Sequence, residues 1–251
     1  MLLKQFGIQL MIKWIFFFLI TGSLFASEPI SKEEILQVAK TTKETVDTIK
    51  SCQFLLVKKE LVDGKNTGYQ YLNVKVRTEP LQIYVKFLKP RKFAEREALY
   101  RDGELTIRRG GTRMASMVLH LLPSSPLAME GNRYPITYLN PKTTSARLIG
   151  QIENELRFPE TELTVYRRAK VFDQPGTHYR LTHTEQKEGM ECYIAEVMIC
   201  KELGVPIYFR VIDFKKRIVE EYAFKDMMIN VDFLPGEFTE TYKEYGFTDG
   251  K

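Results

Sequence analysis

Three cysteines, three histidines and no block of like charges leave this 251-residue chain short of the clusters that disulfide frameworks, metal sites and nucleic-acid interfaces need. Cys192 and Cys200 lie in the run "ECYIAEVMICK". If that run is one strand, they sit about 26 Å apart, against the roughly 7 Å that a bridge tolerates. At most Cys52 can join one of them, and three small buried hydrophobes is the simpler reading. No CxxC or Cys/His cluster suggests zinc. No glycine-rich or proline-rich tract, internal repeat or linker interrupts a composition of 44% hydrophobic and 27% charged residues, which is that of an ordinary globular protein.

Catalytic patterns are equally thin. His178 and His183 are five apart in an expected strand and face opposite ways, so one metal cannot bind both from that strand. His120 stands alone on an expected apolar helix, as a core or boundary residue. Ser124 and Ser125 sit between two prolines with no GxSxG elbow, and "RRGG" lacks the lysine and the strand-to-helix context of a phosphate loop. Glu95 and Glu97 are two apart on an expected strand, a pair that could do acid and base work. Flanked by Arg91, Lys92 and Arg96, they read more simply as a solvated charged face. With no nucleophile, base and orienting group together, the chain reads as non-catalytic and without a metal or cofactor.

An address is present at the start. Lys4 and Lys13 precede "WIFFFLITGSLFA", an apolar run shorter than the roughly 20 residues that span a bilayer and followed by small residues. Residues 1–26 are therefore expected to be a signal peptide cut after Ala26, with an uncleaved anchor as the alternative, whether translation starts at Met1 or Met11. The 37 lysines and arginines exceed the 32 acids by five, and the leader holds two of the lysines. The remaining +3 is too mild to imply nucleic acid. Export to the periplasm of a Gram-negative bacterium is the expected localisation, with no membrane span left after cleavage.

Beyond the leader, Ser31 and Glu34 form a capping box, and Ile35, Val38, Ala39, Thr42, Val46 and Ile49 recur at helical spacing, predicting a helix over 32–50. Strand patterns follow. "CQFLLVKKELVDGKNTGYQYLNVKVRT" gives two runs about a turn at Asp63 and Gly64. Leu72, Val74 and Val76 alternate with polar neighbours, as do Ile83, Val85 and Phe87. A strand over 94–101 turns at Asp102–Gly103 into "ELTIRRGG". "RMASMVLHLL" has helical spacing, and Asn140 with Pro141 opens a second long helix. Five further strand patterns fill the last third. The expectation is an α+β fold in which residues 28–251 form a single domain: a curved antiparallel sheet of about ten strands, an unclosed half-barrel, covered by two long helices and a short one.

The segments "PLQIYVKFLKPRKFAEREALYRDG" and "LLPSSPLAMEGNRYPIT", with the terminal "EYGF", resemble an exported bacterial family, the domain of unknown function numbered 1571, over residues 45–247. The "PSSP" loop departs from that family's usual aspartate-proline-glycine form. More distantly, the order of elements is similar to the periplasmic lipoprotein carriers and their outer-membrane receptors. That resemblance implies a half-barrel whose apolar interior holds a lipid or lipoprotein acyl chain in the cell envelope. From periodicity alone, the cavity-facing candidates are Leu72, Val74, Val76, Ile83, Val85 and Phe87. The alternative is an envelope module with a filled core that binds a protein partner through exposed aromatic edges or the "EYGF" tail.

Overall fold

The computed structural model describes residues 27–109 and 117–248. The expected leader and residues 113–116 lie outside them. The chain opens with β1 (Glu28–Pro29) and α1 (Lys32–Asp47), then runs through β2 (Ser51–Val62), β3 (Lys65–Asn66), β4 (Gln70–Thr78), β5 (Leu81–Lys89), β6 (Glu97–Arg101), β7 (Glu104–Arg108) and β8 (Val118–Leu121). The short helix α2 (Pro126–Met129), a 3-10 turn (Ile136–Leu139) and α3 (Pro141–Glu155) lead to β9 (Glu162–Val171), β10 (Gln174–Thr182), β11 (Ile194–Cys200), β12 (Pro206–Ile212) and β13 (Ile218–Ile229).

Local chemistry sets these boundaries. The Ser31 hydroxyl accepts the Glu34 N–H at the start of α1, and Asn140 caps α3 ahead of Pro141. Asp63–Gly64 and Asp102–Gly103 all take positive φ, as two-residue hairpin turns require. Every pairing is antiparallel, and the order β1-β9-β10-β11-β12-β13-β2-β4-β5-β6-β7-β8 is open at both ends, with β3 beside β2. The fold is α+β, a half-barrel that does not close. The thirteen strands among the described residues exceed the expected ten by the two-residue β1 and β3 and by β8.

That last strand corrects the helix expected over "RMASMVLHLL". Residues 118–121 pair with β7, Leu105 opposite Leu121 and Ile107 opposite Leu119. Their four-residue run is too short for its helical spacing to outweigh the hydrogen bonds that the open edge of β7 offers. The short helix lies instead in the proline-serine loop, capped by Ser125.

On the inner face, Val46, Ile49 and Leu148 of the helical layer bury Phe54, Leu56, Leu72, Val74, Val76, Ile83 and Val85. Each such side chain contributes about 1.5–3 kcal/mol over its exposed state. The three cysteines are free and buried, and burial pushes the Cys52 thiol up to about 12.

The outer face is covered too, which corrects two expectations. Alternation with the inward Ile83 and Val85 predicts a solvent-facing Tyr84, yet its ring stacks at 3.6 Å on Tyr245, in a cluster with Leu99, Phe238 and Phe247. The "EYGF" tail is thus packed down, with Tyr245 and Phe247 buried. Glu97, expected on a solvated face, is 1% exposed and accepts the Gly246 N–H at 2.7 Å. Glu95 lies before β6 in a positive-φ turn, exposed, so the two carboxylates do not share a strand face.

In the other half, the outer-face His178 stacks on Tyr166 and lies 3.7 Å from Glu196. The Glu196 carboxylate also receives Arg180 and Arg210. Burial lowers the His178 pKa from its ordinary 6.5 to about 4, Glu196 opposing and the two arginines adding to the fall.

Two measurements check this packing. Tyr245→Ala is expected to cost about 3 kcal/mol in urea unfolding, because it deletes the ring that covers Tyr84. Between pH 6.5 and about 4 the unfolded chain binds a proton at residue 178 that the folded chain refuses. The His178 contribution, about 3 kcal/mol, is therefore present above pH 6.5 and lost as the pH falls towards 4. In a Tm series across that window, His178→Gln is expected to flatten the fall.

Candidate functional site

A cavity of 140 Å³ lies between the inner face of the sheet and the 123–147 segment. Leu56, Leu72, Val85, Phe87, Leu105 and Phe209 line it from the strands, and Leu127, Ala128, Ile136 and Leu139 close it from the loop. The proline-serine loop is thus a wall of the site. A second cavity of 70 Å³ lies between α1, α3 and β10–β12, and a third of 30 Å³ shares Leu139 and Thr144 with the first and Ser145 and Pro206 with the second.

One end of the main cavity is ionic. Inward positions 52, 54 and 56 of β2 are apolar, but the next two are Lys58 and Glu60, buried at 6% and 1% exposure. Glu60 lies directly opposite Glu220 of β13, a like-charge pair that would be destabilising alone. Lys58 bridges Glu60 Oε2 and Asn132 Oδ1, each at 2.8 Å, and the Tyr222 hydroxyl donates to Glu60 Oε1. Arg147 of α3 reaches down to grip Glu220 in a fork, 2.7 and 3.1 Å, with its guanidinium 4.5 Å over the Tyr134 ring. Burial raises the Glu220 pKa, and Arg147 opposes it. The network ties the loop and α3 to the sheet while leaving the middle of the cavity apolar.

The other end is a rim. Arg96, just before β6, extends the inward row of Tyr100 and Ala98, and Arg109, just after β7, extends that of Leu105 and Ile107; both line the cavity. The Arg96 backbone carbonyl accepts the Phe87 N–H.

Of the six residues expected to face a cavity, Leu72, Val85 and Phe87 line it. Val74, Val76 and Ile83 share the same sheet face but lie in the packed core at 0–1% exposure, beside α1 and not in the cavity lining. Periodicity gave the face; it did not say which part of that face the helices fill. A charged residue that continues an apolar period-two row, as at positions 58, 60 and 220, is the sequence signal for these buried charges, whereas Arg96 reads from sequence as part of a solvated face.

Chemistry elsewhere is structural in geometry. His183 and Glu155 form a 2.6 Å pair at 0% and 1% exposure, and burial, then Glu155, raises the pKa of the nearby Cys192 thiol, the reverse of an activated nucleophile. His120, expected in a helix, is a half-exposed β8 residue 3.3 Å from Glu104. No group of three or more potential metal ligands occurs among the described residues, and no helix among them is long and apolar enough to cross a membrane.

The family described as "Protein of unknown function (DUF1571)" matches residues 49–247. No curated protein matches the chain. Among solved structures, MucB is similar at TM-score 0.50 and 13% identity, covering 83% of this chain and 63% of MucB; a further structure is the complex of MucA and MucB from Pseudomonas aeruginosa. The lipoprotein LppX of Mycobacterium tuberculosis aligns at 0.49 and 11% over 81% of this chain and 99% of its own. A LolA superfamily protein from Nitrosomonas europaea aligns at 0.33 and 11% over 81% and 96%. At these identities the likeness concerns the fold.

The ionic floor generates a double-mutant test. Arg147→Met leaves Glu220 buried without its fork and is expected to cost about 3–5 kcal/mol. Arg147→Met combined with Glu220→Leu is expected to recover most of that loss in urea unfolding, because the uncompensated charge is gone.

Proposed function

Since the chain belongs to this family over most of its length, we propose that its common fold serves to bind a hydrophobic ligand between sheet and helices, a lipid or a lipoprotein acyl chain, without catalysis. The observation that carries this is the apolar cavity beside Phe87. Its 140 Å³ is close to the roughly 150 Å³ of a dry engineered cavity that admits benzene. The end of an acyl chain fits as it stands, and a longer stretch is accommodated if the 123–140 loop shifts or the three aligned cavities join. In this reading residues 1–26 export the chain and residues 28–251 act as one carrier-like domain of the envelope, with Leu72, Val85 and Phe87 touching the ligand and Val74, Val76 and Ile83 backing them.

Binding to an envelope protein is the second reading. It is favoured by the exposed Met117 and Leu122 on either side of the open edge strand β8, and MucB is described in complex with MucA.

Native mass spectrometry of protein purified from an envelope fraction, with displacement of a fluorescent fatty acid, separates the readings. The proposal expects a bound lipid and saturable displacement. Phe87→Glu, at a partly buried position on the cavity wall, is expected to abolish displacement in a folded protein, and Ala98→Leu to weaken it more than tenfold by filling the cavity. A chain that carries no lipid and displaces no probe overturns the proposal and leaves the protein-partner reading.

A further inference from the structure

The charges at the two ends of the main cavity are balanced differently. At the floor, Lys58 and Arg147 are matched by Glu60 and Glu220 in direct hydrogen bonds. At the rim, Arg96 has no carboxylate within ion-pair distance among the described residues; its guanidinium lies 4.6 Å from the centre of the Phe93 ring. Its Nε is buried and makes no hydrogen bond among the described residues, a feature shared with the Arg147 Nε at the floor, so the missing carboxylate is what sets the rim apart. Arg109 is near enough to depress the Arg96 pKa, after burial itself. The carboxylate that reaches this pair is Glu130, 74% exposed and 4.0 Å from Arg109. Two guanidiniums thus stand at the end of apolar rows, one with a donor facing no acceptor, and an unmade buried hydrogen bond of a charged group is costly.

Resting on the reading of the cavity as a ligand site, we propose that Arg96 and Arg109 form an anion-recognising rim, so that the ligand is an amphiphile with a carboxylate or phosphate head. The head accepts from the two guanidiniums, which suit planar and tetrahedral oxyanions alike. The hydrocarbon runs inward past Phe87 and Leu72. The floor contributes no anion site, because its cations are already neutralised.

Three ligands with the same twelve-carbon chain separate the head from the tail: dodecanoate, dodecyl phosphate and dodecanol, each titrated calorimetrically into the full chain at pH 7.5 and low salt. The expected result is that one or both anions bind at least tenfold more tightly than dodecanol. A preference for dodecanoate over dodecyl phosphate assigns a fatty-acid-type head, and the reverse a phospholipid-type head. Arg96→Gln with Arg109→Gln is expected to bring the anions down to the affinity of the alcohol in a protein whose circular dichroism and Tm are retained. Arg91→Gln with Lys92→Gln, both on the exposed turn outside the cavity lining, serves as the charge-matched control and is expected to keep the preference. Equal binding of all three ligands to the unaltered chain overturns the rim while upholding the apolar site. Preference lost equally in Arg91→Gln with Lys92→Gln reduces it to diffuse charge and also overturns it. Binding of none overturns both the rim and the cavity reading.

Discussion

The pairing of β13 with β2 holds the rest of the structure in place. Each strand is twelve residues long, and their register runs from Glu220 opposite Glu60 to Ile229 opposite Cys52. On one side lies the meander that continues through β4 to β8, and on the other the meander from β9 to β12. Separately each would present an extra unpaired edge, a liability for a sheet; joined, they make one inner face wide enough for α1 and α3 to cover together. The two strands lie far apart in sequence, so forming this seam carries a loop-closure cost that the buried Leu56, Phe54, Tyr222 and Phe224 must offset.

The same register creates an electrostatic problem and positions its solution. Two glutamates opposed on the buried face are tolerated only because Lys58, Tyr222 and Arg147 converge on them. Arg147 comes from α3 and Asn132 from the preceding loop, so satisfying the charges fixes how the helical layer sits over the sheet. The space between is divided accordingly. Near α1 the aliphatic side chains interlock, and beyond the ionic floor the loop stands off and leaves the cavity. A polar cluster of this kind specifies one arrangement of the layers more than it adds net stability.

Much of the fold was legible from residue order because it depends on local periodicity and capping. Ser31, Asn140 and Pro141 announced the long helices, the aspartate-glycine turns announced the hairpins, and alternation gave the inward face of β4 and β5. What failed depended on partners distant in sequence. Residues 118–121 have helical spacing but became a strand because β7 offered an edge. Glu97 and Tyr84 carry polar groups typical of a surface, yet residues 238–247 return across the outer face and bury them. The site divides in the same way: Leu72, Val85 and Phe87 reach the cavity and Val74, Val76 and Ile83 do not, although all six obey one alternation.

The sequence by itself determined the alternation that makes one face of each strand apolar and the turns that set antiparallel register. Those properties arise from neighbours within a few positions, where φ/ψ preference and period-two geometry act. Only the tertiary structure decided which apolar residues face a space and which face one another, and that among the described residues Arg96 stands without a carboxylate in ion-pair reach while Arg147 has one. Both outcomes turn on which distant chain segment arrives at a given point on the sheet, a matter of packing and charge compensation between layers that no local pattern encodes.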